Sequence, residues 1–128
     1  VKTFREAVET RDAVAVEALL AEDVVFRSPA VHKPYQGKQA TAVILRAVMR
    51  VFEDFRYTRV VEDGSDHVLV FEARVGGRDV EGADFLHVDE DGRIDDFRVM
   101  VRPLSGLNAL VEAMGVAIPE VMAELGLS

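Results

Sequence analysis

The side chains able to do chemistry in this 128-residue chain form a short set. There is no Cys, so disulfides, zinc thiolates and cysteine nucleophiles are excluded. His32, His67 and His87 show neither HxxxH nor HExxH spacing, and no metal site is expected. Asp89-Glu90-Asp91-Gly92 looks like part of a calcium loop. With Gly92 at the sixth position, however, the first would be His87 and the twelfth Arg98, so two essential carboxylates are missing. No glycine-rich phosphate cradle or dinucleotide fingerprint occurs, and no cofactor is expected. Ser28 lacks an evident His/Asp activating set and is not read as a nucleophile. What remains is proton transfer and hydrogen bonding by carboxyl, imidazole and phenol groups.

Asp84 leads that set because of strand register. Asp63-Gly64, Gly76-Gly77 and Asp91-Gly92 suit the positive-φ positions of tight hairpins. A two-residue Gly76-Gly77 turn pairs Val75 with Arg78, which puts Leu69 opposite Asp84. A two-residue Asp91-Gly92 turn pairs Glu90 with Arg93, which puts Asp84 opposite Val99. Because side chains alternate, Asp84 then shares a face with Leu69, Phe71, Leu86, Phe97, Val99 and Val101, the expected pocket-lining set. A carboxyl among apolar neighbours loses hydration, and its pKa rises. Such a group can act as general acid, as donor to an oxyanion, or as a base near neutral pH. The competing reading is a structural carboxylate bound by backbone N–H groups or by an Arg from a helix.

Three further residues are candidates. His67 lies on the same face, diagonal to Asp84 on the neighbouring strand, where Asp84 could orient it; the alternative is an exposed strand-end histidine. His32 and Tyr35 sit in the loop before the main helix, placed either to meet a ligand or to pack beside Pro29 and Pro34. Tyr57 alternates with Phe55 and belongs either to the core or to its rim.

The elements that must position these groups are legible from periodicity. Phe4 and Val8, then Val16, Leu19 and Leu20, mark an N-terminal helical part with Asp12 as a cap. Val24–Arg27 is β-like and ends at Ser28-Pro29. Residues 38–52 form the clearest helix, with Ala40, Val43, Ile44, Ala47, Val48 and Val51 on one side. Four strands follow at roughly 54–62, 67–75, 78–89 and 93–103. Ser105 then caps a helix closed by Gly115, and Pro119 opens a last short helix closed by Gly126.

The bulk numbers are consistent with one soluble domain spanning 1–128, with 105–128 a C-terminal helical extension. About half the residues are apolar, and there is no repeat or linker. A net charge of −8 argues against nucleic acid as a partner. No apolar run approaches the roughly 20 residues of a membrane span, and no membrane association is expected. The first residues are polar rather than signal-like, and the absence of Cys fits a reducing, cytoplasmic compartment. The opposite sheet face carries Val68, Val70, Ala83, Phe85 and Met100 within a charged rim, which suggests a homodimer surface.

The order of helices, a short strand ending at Ser28-Pro29, the Pro34-Tyr35-Gln36-Gly37 step into a helix and a four-strand meander resembles the nuclear transport factor 2-like superfamily. That group includes SnoaL-like polyketide cyclases and ketosteroid isomerase. The resemblance covers residues 3–104 and also rests on Glu22–Pro29 and Ala83–Ile94. It implies a cone-shaped α+β barrel in which N-terminal helices cover a curved antiparallel meander sheet around a ligand cavity, usually dimeric through the outer sheet face. It also implies positions for the three groups of ketosteroid isomerase. The base position is Ser28, the oxyanion-donating Tyr position is Phe4, and the second donor, a protonated Asp, matches Asp84. One of three roles is present, so that mechanism is not expected. The expected function is binding of a small, mostly apolar organic molecule in the cavity, with isomerase, cyclase, dehydratase or hydrolase chemistry at Asp84. The alternatives are a non-catalytic ligand carrier or protein-interaction module, and a filled core with no ligand space.

Overall fold

A computed structural model describes residues 3–127. The chain starts with two short helices, α1 (Phe4–Glu9) and α2 (Ala13–Ala18). Thr3 caps α1 by accepting the Glu6 N–H, and Asp12 caps α2 by accepting the Ala15 N–H at 3.1 Å. Strands β1 (Leu20–Arg27) and β2 (Tyr35–Gln36) precede the amphipathic helix α3 (Lys38–Val51). The meander follows as β3 (Glu53–Asp63), β4 (Asp66–Val75), β5 (Arg78–Val88) and β6 (Ile94–Arg102). Helix α4 (Leu104–Glu124) ends the fold.

The expected cone-shaped barrel is not formed. The six strands make one open sheet in the order β2-β1-β6-β5-β4-β3, with β2 and β3 as its two edges, and it neither closes on itself nor curls strongly. It is also mixed rather than wholly antiparallel, because β1 runs parallel to β6 while every other pair is antiparallel. The long-range β1–β6 pairing has no turn signature, so nothing local announces it.

Within the meander, the count from the Gly76-Gly77 turn matches the pairing: Val75 faces Arg78, Phe71 faces Gly82 and Leu69 faces Asp84. Asp84 faces Val99 across β5–β6. The end of that hairpin differs from the expected two-residue turn. Asp89 accepts the N–H groups of Asp91 and Arg93 on its side chain, each at 2.9 Å, and Val88 pairs with Ile94 through a one-residue shift. The shift lies beyond His87, so the register around Asp84 is undisturbed.

The C-terminal segment is one helix, not two. Pro119 lies inside α4. A proline there removes the bond that its N–H would give the carbonyl four residues back, here Gly115, which is exposed. Buried Leu110 before Pro119 and buried Val121 after it anchor both halves of the helix. Continuity also alters the membrane reading: α4 has 21 residues and a mean hydropathy of 1.3 over its most apolar stretch, enough for a bilayer span by length and composition.

Helices α1, α3 and α4 cover the inner sheet face. The core between them contains Val16, Leu20, Val24, Phe71, Phe97 and Val75, all essentially inaccessible. Gly82 is fitted closely here. A Cβ at that position would stand 2.4 Å from Phe71 Cζ and 2.6 Å from the Met100 carbonyl oxygen.

Candidate functional site

Between the helices and the inner face of β3–β6 lies a cavity of about 300 Å³. Its aromatic wall is built by contact between rings: Phe55 stacks on Phe71 at 5.0 Å, Phe52 lies 5.5 Å from Phe55, and Phe4 meets Phe97 edge-on at 5.4 Å. Val48 and Met49 from α3 and Met114 and Ile118 from α4 complete the apolar lining, and the loop after Ser28 borders it. A space of this size, enclosed by apolar groups with few polar ones, has the form of a small-molecule site. The filled-core alternative does not describe it.

Asp84 is the carboxylate in this wall, and only 6% of it is exposed. Its Oδ2 accepts a 2.7 Å hydrogen bond from the Tyr57 hydroxyl. Among the described residues Oδ1 has no hydrogen-bond partner; since no fully enclosed side-chain polar atom is left unpaired there, it is the oxygen that keeps access to the cavity. Burial raises the Asp84 pKa to about 7, against an opposing pull from the Tyr57 hydrogen bond. The Tyr57 phenol is raised well above its ordinary value by burial first, then by the adjacent Asp84 charge and the hydrogen bond to it. Near neutral pH the pair is therefore a neutral phenol holding a carboxyl poised between its two protonation states. Such a carboxyl can accept a proton from a bound molecule or give one to it.

Tyr57 escapes the sequence count for a definite reason. Counting back from Asp63–Asp66 without interruption would set Tyr57 opposite Glu72, on the outer face. A bulge at Thr58 breaks the count, so Arg59 pairs with Val70 but Tyr57 pairs with Phe71, on the inner face. No turn or glycine marks this bulge. The only signal was the shared parity of Tyr57 with Phe55, which also lines the cavity.

The other expected residues divide. Tyr35 borders the cavity from β2, its ring 6.4 Å from that of Phe26. Phe71, Phe97 and Val99 line the cavity, whereas Leu69, Leu86 and Val101 lie on the inner face but belong to the packed core around it. His32 is exposed and does not line the cavity. His67 is the second residue of β4, with its Nδ1 3.6 Å from Glu62, and no hydrogen bond joins it to Asp84. Phe4 and Ser28 both line the cavity together with Asp84, so the three positions implied by the ketosteroid isomerase resemblance converge on one space. Ser28 Oγ accepts the N–H groups of Ala30 at 3.0 Å and Val31 at 3.3 Å, which orders the loop. Arg11, unremarked in the sequence, is the one cation lining the cavity among the described residues. Also among the described residues, no group of three His, Asp or Glu side chains is placed to hold a metal.

Residues 1–97 match the SnoaL-like domain family. A steroid delta-isomerase from Pseudomonas aeruginosa is similar at 49% identity, with a TM-score of 0.86 over 91% of this chain and 87% of that one. An uncharacterized bacterial protein with a cystatin-like fold, from Silicibacter pomeroyi, is 39% identical, with a TM-score of 0.85 over 88% and 80%. A nuclear transport factor 2-like protein of unknown function from Mesorhizobium loti shares the fold at 20% identity, with a TM-score of 0.69 over 78% and 85%. No curated protein sequence matches the chain. Three-quarters of the sequence under one family description, and a relative at nearly half identity over almost all of both chains, agree with the strand order and the cavity: the chain belongs to the SnoaL-like domain family.

Proposed function

We propose that this protein binds a small, largely apolar organic molecule in the cavity and that Asp84 moves a proton on it, in a cofactor-independent isomerisation or cyclisation. The observation that carries the reading is a carboxyl, 6% exposed in an apolar cavity, with one oxygen held by Tyr57 and the other facing the space. Ionised Asp84 takes a proton from an acidified carbon onto Oδ1 and returns it to another carbon of the same molecule. The 49% identity to a protein described as a steroid delta-isomerase supports an unsaturated, polycyclic or similarly rigid ketone as the first substrate class to test. If such a ketone is turned over, its base is Asp84, because position 28 is Ser and its oxygen is engaged by two backbone N–H groups. A β,γ-unsaturated ketone panel, followed by the absorbance of the conjugated product, tests this. Asp84→Asn should abolish turnover while retaining ligand binding; turnover at the wild-type rate in that variant would overturn the assignment.

The outer sheet face supports a proposed association with a second copy. Met100 is 53% exposed there, beside half-buried Val70, Ala83 and Phe85, with the Arg74–Asp79 and Arg102–Glu81 ion pairs at the rim.

A further inference from the structure

Arg11 occupies a position that its backbone does not favour. After α1, the N–H of Arg11 bonds the Val8 carbonyl and the N–H of Asp12 bonds the Ala7 carbonyl, the closing pattern of a helix whose next residue is left-handed. Arg11 has φ of 55°, a conformation that glycine adopts freely and a residue with a Cβ does not. A residue kept in such a conformation points to a use for its side chain.

The side chain reaches across to the start of β3, where one guanidinium nitrogen donates to the Phe52 carbonyl at 3.0 Å. That bond uses one of five donors. Among the described residues, no carboxylate pairs with Arg11. Glu9, near it on α1, is taken by Arg5 at 3.3 Å and by the Tyr57 N–H. Eight other cations of the described chain are in ion pairs with carboxylates; of those without one, Arg11, exposed at the rim, is the one that lines the cavity. Phe52, whose carbonyl holds the guanidinium, is in ring contact with Phe55 at 5.5 Å, and Phe55 with Tyr57 at 4.9 Å. An anchored cation and the Tyr57–Asp84 pair are thus separated along one wall by aromatic rings.

We propose that Arg11 binds the carboxylate of the ligand, so that the preferred occupant is an apolar organic acid with its anionic group at Arg11 and its apolar body along Phe52 and Phe55 toward Asp84. This rests on the cavity reading above and adds the ligand's charge and orientation to it. A guanidinium already fixed by one hydrogen bond presents its remaining donors without further ordering, and its planar fork matches a carboxylate.

The test uses N-phenyl-1-naphthylamine, a neutral fluorescent probe, displaced in parallel by decanoate and by 1-decanol at about pH 6, where a free carboxylic acid is ionised. The wild-type protein should release the probe at an at least about tenfold lower concentration of decanoate than of decanol. Arg11→Gln and Arg11→Gly should both bring that ratio to about one, and Arg11→Lys should keep part of the preference. Glycine suits the left-handed turn, so Arg11→Gly removes the guanidinium without opposing the fold. Equal displacement by acid and alcohol in the wild type, or an acid preference that survives both variants, would overturn the Arg11 proposal and leave the cavity standing. Failure of the wild type to bind the neutral probe would overturn both.

Discussion

Replacing Asp84 by Asn should make the protein more stable, and increasingly so as pH rises. The carboxyl has a folded-state pKa of about 7 against an ordinary 3.8 because burial penalises its charge. Below about pH 4 both folded and unfolded states carry the proton, and Asp84 costs nothing. Between the two values the unfolded chain releases a proton that the folded protein keeps bound, so stability falls as pH rises, by up to about 1.4 kcal/mol per unit. Above the folded value both states are ionised and the full penalty of about 4 kcal/mol is present. From about pH 5 to about pH 8 the wild type should therefore lose about 2.5 kcal/mol relative to Asp84→Asn. Asn retains an oxygen that can accept from Tyr57, so the comparison isolates the charge. Urea unfolding of both proteins at several pH values gives the difference directly, and the carboxyl carbon resonance of Asp84 gives the folded-state pKa independently. A stability difference that stays flat across this window would refute the reasoning: it would mean that the carboxyl is solvated or compensated, and its candidacy as a neutral-pH base would go with it.

Tyr57→Phe removes the hydrogen bond that favours ionised Asp84, so the Asp84 pKa should rise by about one further unit; the same carbon titration measures it, and any rising limb of a turnover profile should move with it. Gly82→Ala should destabilise the protein by about 1–3 kcal/mol in urea unfolding, because the new methyl meets both the Phe71 ring and the Met100 carbonyl, and backbone cannot step aside as a side-chain end can. Met100→Glu should shift a dimer to monomer in sedimentation while leaving ligand binding intact, since the residue stands on the outer face and away from the cavity lining.

The part of the site that could be read from sequence is the part that tight turns control. Gly76 and Gly77 have φ of 54° and 80°, as that hairpin demands, and from there the alternation carries Asp84 inward without error. The features that could not be read share another cause: each depends on partners distant in the chain. The bulge at Thr58 turns Tyr57 inward onto Phe55 and Phe71, and no local motif marks it. Parallel pairing of β1 with β6 joins residues about 70 positions apart, such as Phe26 and Phe97. The continuity of α4 through Pro119 is enforced by Leu110, Ala117 and Val121 meeting the core on both sides of it. Propensity favoured a break there, and tertiary burial outweighed it. A closed barrel is implied by the family resemblance and by no particular residue, and the free outer edges of β2 and β3 show why resemblance to a family does not settle closure.

A protein that keeps an uncompensated acid in its core gives up stability that Asn would restore, and the surroundings of Asp84 bear on the proposed proton transfer. A structural role would be met by backbone N–H donors or an arginine, and among the described residues Asp84 has neither; its one partner there is a phenol, and its second oxygen is left toward an open space. A role as a fixed neutral donor would call for a pKa far above neutrality, whereas Tyr57 pulls the carboxyl the other way and leaves it near 7. That balance suits a group that must be charged to remove a proton and neutral to return it within one cycle. No other carboxylate lines the cavity among the described residues, and Phe4 and Ser28 offer neither a phenol nor an acid at the positions that the ketosteroid isomerase resemblance implies. Asp84 is thus the one carboxylate available to the proton transfer proposed above, and that proposal asks it both to take the proton and to return it within one molecule.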